Sequence, residues 1–163
     1  MPVFPCEPGG KRPLTYNGFW DASLEAARVE AWWGRWPAAN LGVPTGERSG
    51  LLVLDVDPAS GGLESLAALE REHGPLPETA RARTGGGGTH VFFSYPAGEV
   101  VRNSAGKLGP GLDVRGEGGY VVVPPSRTHG AYAWIERAPL ASPAWLLDCL
   151  RGLSAGSGEE RLF

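Results

Sequence analysis

The chain reads as an α+β fold, and three features predict it. Across its 163 residues, the front half alternates strand-like apolar runs with helical periodicity. The back half strings together short strands with no helix between them. Glycine (25) and proline (15) are dense enough to supply the tight turns that such strands need. A βαβα start followed by an antiparallel-looking run is the α+β order and not a doubly wound sheet. The length suits one hydrophobic core.

Taken in order, Met1–Cys6 reads as a short strand and Glu7–Asn17 as a Pro/Gly loop carrying Gly10-Lys11-Arg12-Pro13. Ala22, Ala26, Val29, Trp33 and Trp36 recur at helical spacing, and Pro37 stops that helix. Their stripe is most simply core packing. Leu51–Asp57 is an apolar strand expected to be buried on both faces. Leu63, Leu66 and Leu69 place a helix over Ser60–His73, with Gly74 set to end it. Strands follow at 80–84, 90–95, 111–115, 120–123 and 131–135, some separated by the glycine turns 85–88 and 116–119. Residues 109–126 read as a hairpin around Asp113. Residues 143–153 read as a closing helix, and Ser154 onward has linker composition.

The net charge is −3, which argues against a basic nucleic-acid wrapper. Residues 81–127 reverse the sign: Arg81, Arg83, Arg102, Lys107, Arg115 and Arg127 outnumber Glu99, Asp113 and Glu117. That stretch is either a phosphate-facing surface or scattered solvated arginines. Two cysteines at opposite ends, Cys6 and Cys149, make neither a zinc knuckle nor a disulfide framework. No apolar run approaches the ~18–20 residues of a membrane span, and Met1–Gly10 has no signal-peptide pattern, so the expected location is cytoplasmic.

Acidic-x-acidic occurs twice, about as often as composition alone gives, so context must separate the two. Glu70 and Glu72 sit on a helix with an exposed face. Asp55 and Asp57 end an apolar strand whose period of two aims both carboxylates to one side. Two readings stand for them: a Mg2+ or Mn2+ site, since a hard cation offsets the burial of paired carboxylates, or a water-facing pair that caps the loop before Ser60. The run Thr84-Gly-Gly-Gly-Gly-Thr-His90 can turn several N–H groups toward one anion, but it lacks the ending of a Walker loop. His90 opens the next strand, where it can reach a phosphate. Asp113, between Leu112 and Val114, needs a partner: either a salt bridge to Arg115 or a metal shared with Asp55 and Asp57. Three carboxylates can hold two metals.

In order and spacing, Gly10-Lys-Arg-Pro, Trp32-Trp33, Asn40-Leu-Gly-Val, Gly50–Asp57, Thr84–His90, Gly111–Tyr120 and Pro124-Pro-Ser126 resemble the primase–polymerase domain of the archaeo-eukaryotic primase superfamily. This is the N-terminal module of bifunctional DNA primase/polymerases in plasmid, phage and mobile-element replication. The resemblance spans residues 1–153 as a catalytic domain, leaving 154–163 as a linker-like tail. It implies an α/β N-terminal unit packed against an RRM-like antiparallel sheet, with the active site between them. The implied activity is template-directed nucleotidyl transfer to a 3′-hydroxyl with Mg2+ or Mn2+, on template DNA, primer and nucleoside triphosphates. By motif, Asp55, Asp57 and Asp113 would be catalytic metal ligands and His90 would bind the triphosphate. Lys11, Arg115 and Ser126 are further candidate phosphate contacts. Gly88 stands where many relatives carry a hydroxyl residue. Relatives often continue into a helicase or a helical primase domain, so extension of a primer is expected before its synthesis. Binding of DNA by this chain is expected to be weak, salt-sensitive and confined to one face. The alternatives are a non-catalytic nucleotide- or single-strand-binding module and, last, an acidic-x-acidic enzyme acting on sugar nucleotides.

Overall fold

The computed structural model describes residues 1–136, 138 and 140–156. Among the described residues, ten strands and three α-helices are arranged in chain order: β1 (Phe4–Cys6), α1 (Ala26–Arg35), β2 (Asn40–Pro44), β3 (Leu51–Val56), α2 (Gly62–His73), β4 (Arg81–Arg83), β5 (Thr89–Ser94), β6 (Ser104–Ala105), β7 (Leu112–Arg115), β8 (Tyr120–Val123), β9 (Ala133–Glu136), β10 (Leu140–Ala141) and α3 (Ala144–Gly156). The fold class is α+β, as expected. All strand pairs are antiparallel except β10 with β5.

Two sheets divide these strands. The larger runs β6-β7-β3-β5-β4-β9, with β10 also on β5; the smaller runs β1-β2-β8. Alternation along β3 explains the layering. Leu52, Leu54 and Val56 point to one face, where they meet Val91, Phe93, Leu112 and Val114 of the same sheet and Leu146 and Leu150 of α3. Leu51 and Val53 point to the other face and join Phe92, Ala82, Val43, Val121 and Val123 in a core between the two sheets. β3 is therefore buried on both faces, as its composition predicts. A third cluster, Phe4, Cys6, Ala22, Val122 and Tyr132, packs with Phe19 and Tyr120.

Several elements differ from their sequence reading. β2 escapes notice because Gly42 and Pro44 are poor strand formers. Here Gly42 stands opposite Phe4, and a Cβ at that position would run into the Phe4 ring, so the buried aromatic requires the glycine. The expected hairpin over 109–126 does not form: β7 pairs with β3 and β6, and β8 pairs with β2. Leu112 and Val114 are claimed by the helix-covered core and Val121 and Val123 by the core between the sheets, so the link at 116–119 must cross from one sheet to the other. Thr45 fastens that crossing, its N–H donating to the Gly119 carbonyl (2.9 Å) and its hydroxyl to that of Gly116 (2.7 Å). The Gly85–Gly88 turn does join β4 to β5 as a hairpin.

α1 contains no buried residue. α1 lies against β1, and Val29, Trp32, Trp33 and Trp36 are only half-buried, so the tryptophan stripe does not enter a core. Gly74 ends α2 as predicted, its N–H donating to the Glu70 carbonyl at 2.9 Å with φ +100°. α3 continues through Ser154 to Gly156, past the predicted end of the closing helix and into the stretch of linker composition. Residues 157–163, the rest of that stretch, lie outside the described residues. No helix of the described residues is long and apolar enough to cross a membrane.

Candidate active site

Strand register builds the site. Asp55 on β3 stands opposite His90 on β5 and opposite Asp113 on β7, so one cross-strand row reads Asp113, Asp55, His90. All three lie on the side of the large sheet opposite its helices, because their neighbours Leu54, Val56, Val91, Leu112 and Val114 take the helical side. Two carboxylates directly opposite each other repel, and each has a nitrogen-bearing side chain beside it. His90 Nε2 lies 3.6 Å from Asp55 Oδ2, an ion-pair distance longer than an ordinary hydrogen bond. The Arg115 guanidinium donates to Asp113 Oδ2 at 2.9 Å, and Gly106 N–H donates to Asp113 Oδ1 at 3.0 Å. Burial pushes the Asp55 carboxyl up, but the facing His90 imidazole, with the charges of Arg115 and Lys11, more than offsets that and holds it below its ordinary value.

Beside this row lies a pocket of about 230 Å³ lined by Asp55, His90 and Arg115 from the large sheet, Lys11 and Phe19 from the first loop, Asn103, and the segment Gly118–Val122, with Tyr132. Phe19 and Tyr120 form part of its wall, their rings 5.4 Å apart. Lys11 and Arg115, predicted from distant segments, meet here. Asn103, Phe19, Tyr120 and Tyr132 are pocket residues that sequence reasoning did not single out. Tyr120 lay within the quoted Gly111–Tyr120 motif, but the other three had no motif around them. Asn103 is set by a bond from the Gly116 N–H to its Oδ1 (2.8 Å).

The other predicted residues sit apart from that pocket lining. Asp57 follows β3 and caps the turn Pro58–Ser60: Oδ1 accepts from the Ala59 N–H (3.0 Å) and Oδ2 from the Ser60 hydroxyl (2.7 Å). This is the loop-capping geometry that its sequence left open. Ser126 is 4% exposed, and its hydroxyl accepts the Leu41 N–H at 2.7 Å. It lines a different cavity, of about 420 Å³, together with Trp33, Pro37, Asn40 and Arg127.

The glycine turn is also internally occupied. Gly87 N–H donates to the Thr84 carbonyl (3.1 Å) and Gly88 N–H to the Thr84 hydroxyl (3.0 Å), so those two amides are not presented to an anion. Four basic residues of the stretch 81–127 divide among three cavities. Arg115 lines the site, Arg102 and Lys107 line a groove along α3, and Arg127 lines the Ser126 cavity.

The donor chemistry suits a hard divalent cation at Asp55 and Asp113, whose adjacency is otherwise repulsive. The full set of three carboxylates does not converge. Among the described residues no three His, Cys, Asp or Glu side chains are placed to hold one ion, and Asp57 would join only by giving up its bonds to Ala59 and Ser60. For the rest of the pocket, the lining is mostly donors, Lys11, Arg115 and His90, around the single carboxylate Asp55. Such a set fits an anion held beside a cation.

A family model described as bifunctional DNA primase/polymerase, N-terminal (Prim-Pol) matches residues 1–145. No curated protein matches the chain.

Proposed function

The chain belongs to the Prim-Pol family, the N-terminal domain of bifunctional DNA primase/polymerases, and from that premise we propose that it is a template-directed nucleotidyltransferase extending a 3′-hydroxyl. The observation that carries this reading is the row Asp113–Asp55–His90 beside a pocket that also holds Lys11 and Arg115. Residues 1–153 would act as the catalytic domain in replication of a plasmid, phage or mobile element, with a helicase or helical primase domain as partner.

In this reading Asp55 and Asp113 would hold Mg2+ or Mn2+, and Asp57 would join them as the third ligand only on releasing its bonds to Ala59 and Ser60. When bound, the metal supplies charge neutralisation and polarisation at the reacting phosphate, in the two-metal manner if all three carboxylates take part. The chain's own residues do the positioning. Lys11 and Arg115 enter the pocket as fixed positive charges that bind and orient the triphosphate. His90, held against Asp55 and 4% exposed, contributes a directional contact. Phe19 and Tyr120 give the pocket an aromatic wall against which a nucleotide can rest.

A second reading, a nucleotide-binding module without turnover, draws on the engagement of Asp57 in its cap. Template–primer extension with Mn2+ or Mg2+ separates the two, comparing wild type with Asp55→Ala plus Asp57→Ala. Extension by wild type and its loss in the double variant supports the polymerase. Nucleotide binding with no extension under either metal leaves the binding module.

A further inference from the structure

Tyr132 lines the pocket with a hydroxyl that lacks a hydrogen-bond partner among the described residues. Its residue is 4% exposed and lines the same cavity as Asp55, His90, Lys11 and Arg115. Among the described residues its buried hydroxyl has no hydrogen-bond partner, and neither does His90 Nδ1 in the same pocket. The two rings are 6.2 Å apart between centroids. The backbone beneath Tyr132 is fixed, its N–H donating to the Ser126 carbonyl at 2.9 Å, and the residue belongs to the cluster of Phe4, Cys6 and Val122. The aromatic body is therefore explained by packing and the hydroxyl is not. A buried donor left unmade is unfavourable, and a phenylalanine would fill the same space. Nearby, the pocket offers a phosphate two cationic side chains. Turned toward that pocket, the Tyr132 hydroxyl would find an acceptor as soon as an anion enters.

We infer that the Tyr132 hydroxyl donates a hydrogen bond to a phosphate oxygen of the bound nucleotide, making Tyr132 a nucleotide-binding residue alongside Lys11, His90 and Arg115. This rests on the nucleotide-pocket reading above and adds a contact to it. The contact is neutral, directional and absent from the empty pocket. Its removal affects the liganded state only.

The test is calorimetric titration of the full chain with ATP, dATP and inorganic triphosphate, together with thermal melting of the unliganded protein. Tyr132→Phe should weaken all three ligands about tenfold, as for a hydrogen bond to a charged group. Its melting temperature should equal or exceed that of wild type. Wild type that binds none of the three overturns the nucleotide pocket and this inference together. If wild type binds triphosphate and Tyr132→Phe stays within about twofold of it, the inference alone is overturned. Weakening confined to ATP and dATP assigns the hydroxyl to sugar or base and overturns the phosphate contact. A melting temperature lowered by more than about 4 °C assigns it to a structural bond, which also overturns the inference.

Discussion

Asp55 and His90 face each other across β3 and β5, with His90 Nε2 3.6 Å from the Asp55 carboxylate. Burial raises the Asp55 carboxyl, and the imidazole with Arg115 and Lys11 lowers it further than burial raises it. A carboxyl depressed in the folded state contributes stability that is complete above its unfolded value and lost as pH falls through the folded one. The ordinary value is 3.8, so the loss begins near there and continues downward. In His90→Ala, burial acts with only Arg115 and Lys11 to oppose it, and the acid limb should move to higher pH. Urea midpoints between about pH 6 and pH 3 in metal-free buffer check this; superimposable profiles for the two proteins would refute it.

Gly88 is the residue where a hydroxyl side chain is the commoner choice in the resembling family, and restoring it here should fail. A Cβ at this position would sit 2.7 Å from the Val56 carbonyl oxygen, on the backbone of the central strand. Gly88→Ser is expected to lose about 1–3 kcal/mol of stability by overpacking and to gain no affinity for triphosphate. Tighter nucleotide binding with an unchanged denaturation midpoint would count against this placement.

Ser126 was a candidate phosphate contact on its sequence, and its hydroxyl is engaged with the Leu41 N–H. Ser126→Ala removes the partner of that part-buried amide. The expected loss is about 1–3 kcal/mol in stability, with triphosphate affinity changed less than about twofold, since the residue lies outside the pocket lining. Chemical denaturation and titration on the same variant test both halves.

Cys6 is fully buried, and burial, with the Glu7 carboxylate beside it, pushes its thiol up to about 12. In the native protein at about pH 8, below even the ordinary thiol value, a thiol reagent should label the half-buried Cys149 first and reach Cys6 only on unfolding. A raised thiol favours the fold fully below the unfolded value of 9.0 and loses that contribution as pH climbs from 9.0 toward 12. Equal labelling of both cysteines under native conditions would contradict the burial of β1.

Gly42→Ala is the most direct probe of the small sheet. The added methyl meets the Phe4 ring, itself 0% exposed, and should lower stability by about 1–3 kcal/mol without touching the pocket. An unchanged urea midpoint would mean that β1 does not lie over β2.

The sequence by itself determined the elements that carry their own periodicity or stops. Leu51–Val56 is apolar except for Asp55 and is buried on both faces, α2 runs to Gly74, and the 85–88 turn closes a hairpin. It also marked Asp55, His90, Asp113, Lys11 and Arg115, because acids and bases embedded in apolar or glycine-rich stretches need a reason to be there. Pairing and register were beyond it. β2 carries no strand signal until Phe4 lies over Gly42, and β7 and β8 read as a hairpin until two different cores claim their side chains. Only the tertiary structure set Asp55 between His90 and Asp113, drew Lys11 into the same pocket as Arg115, and placed Tyr132 beside them. It showed Asp57 in the capping geometry that its sequence had left open, and it alone made Ser126 a support for β2. The physical reason is that residue type and local spacing fix what a side chain can do, whereas long-range strand pairing fixes which side chains meet.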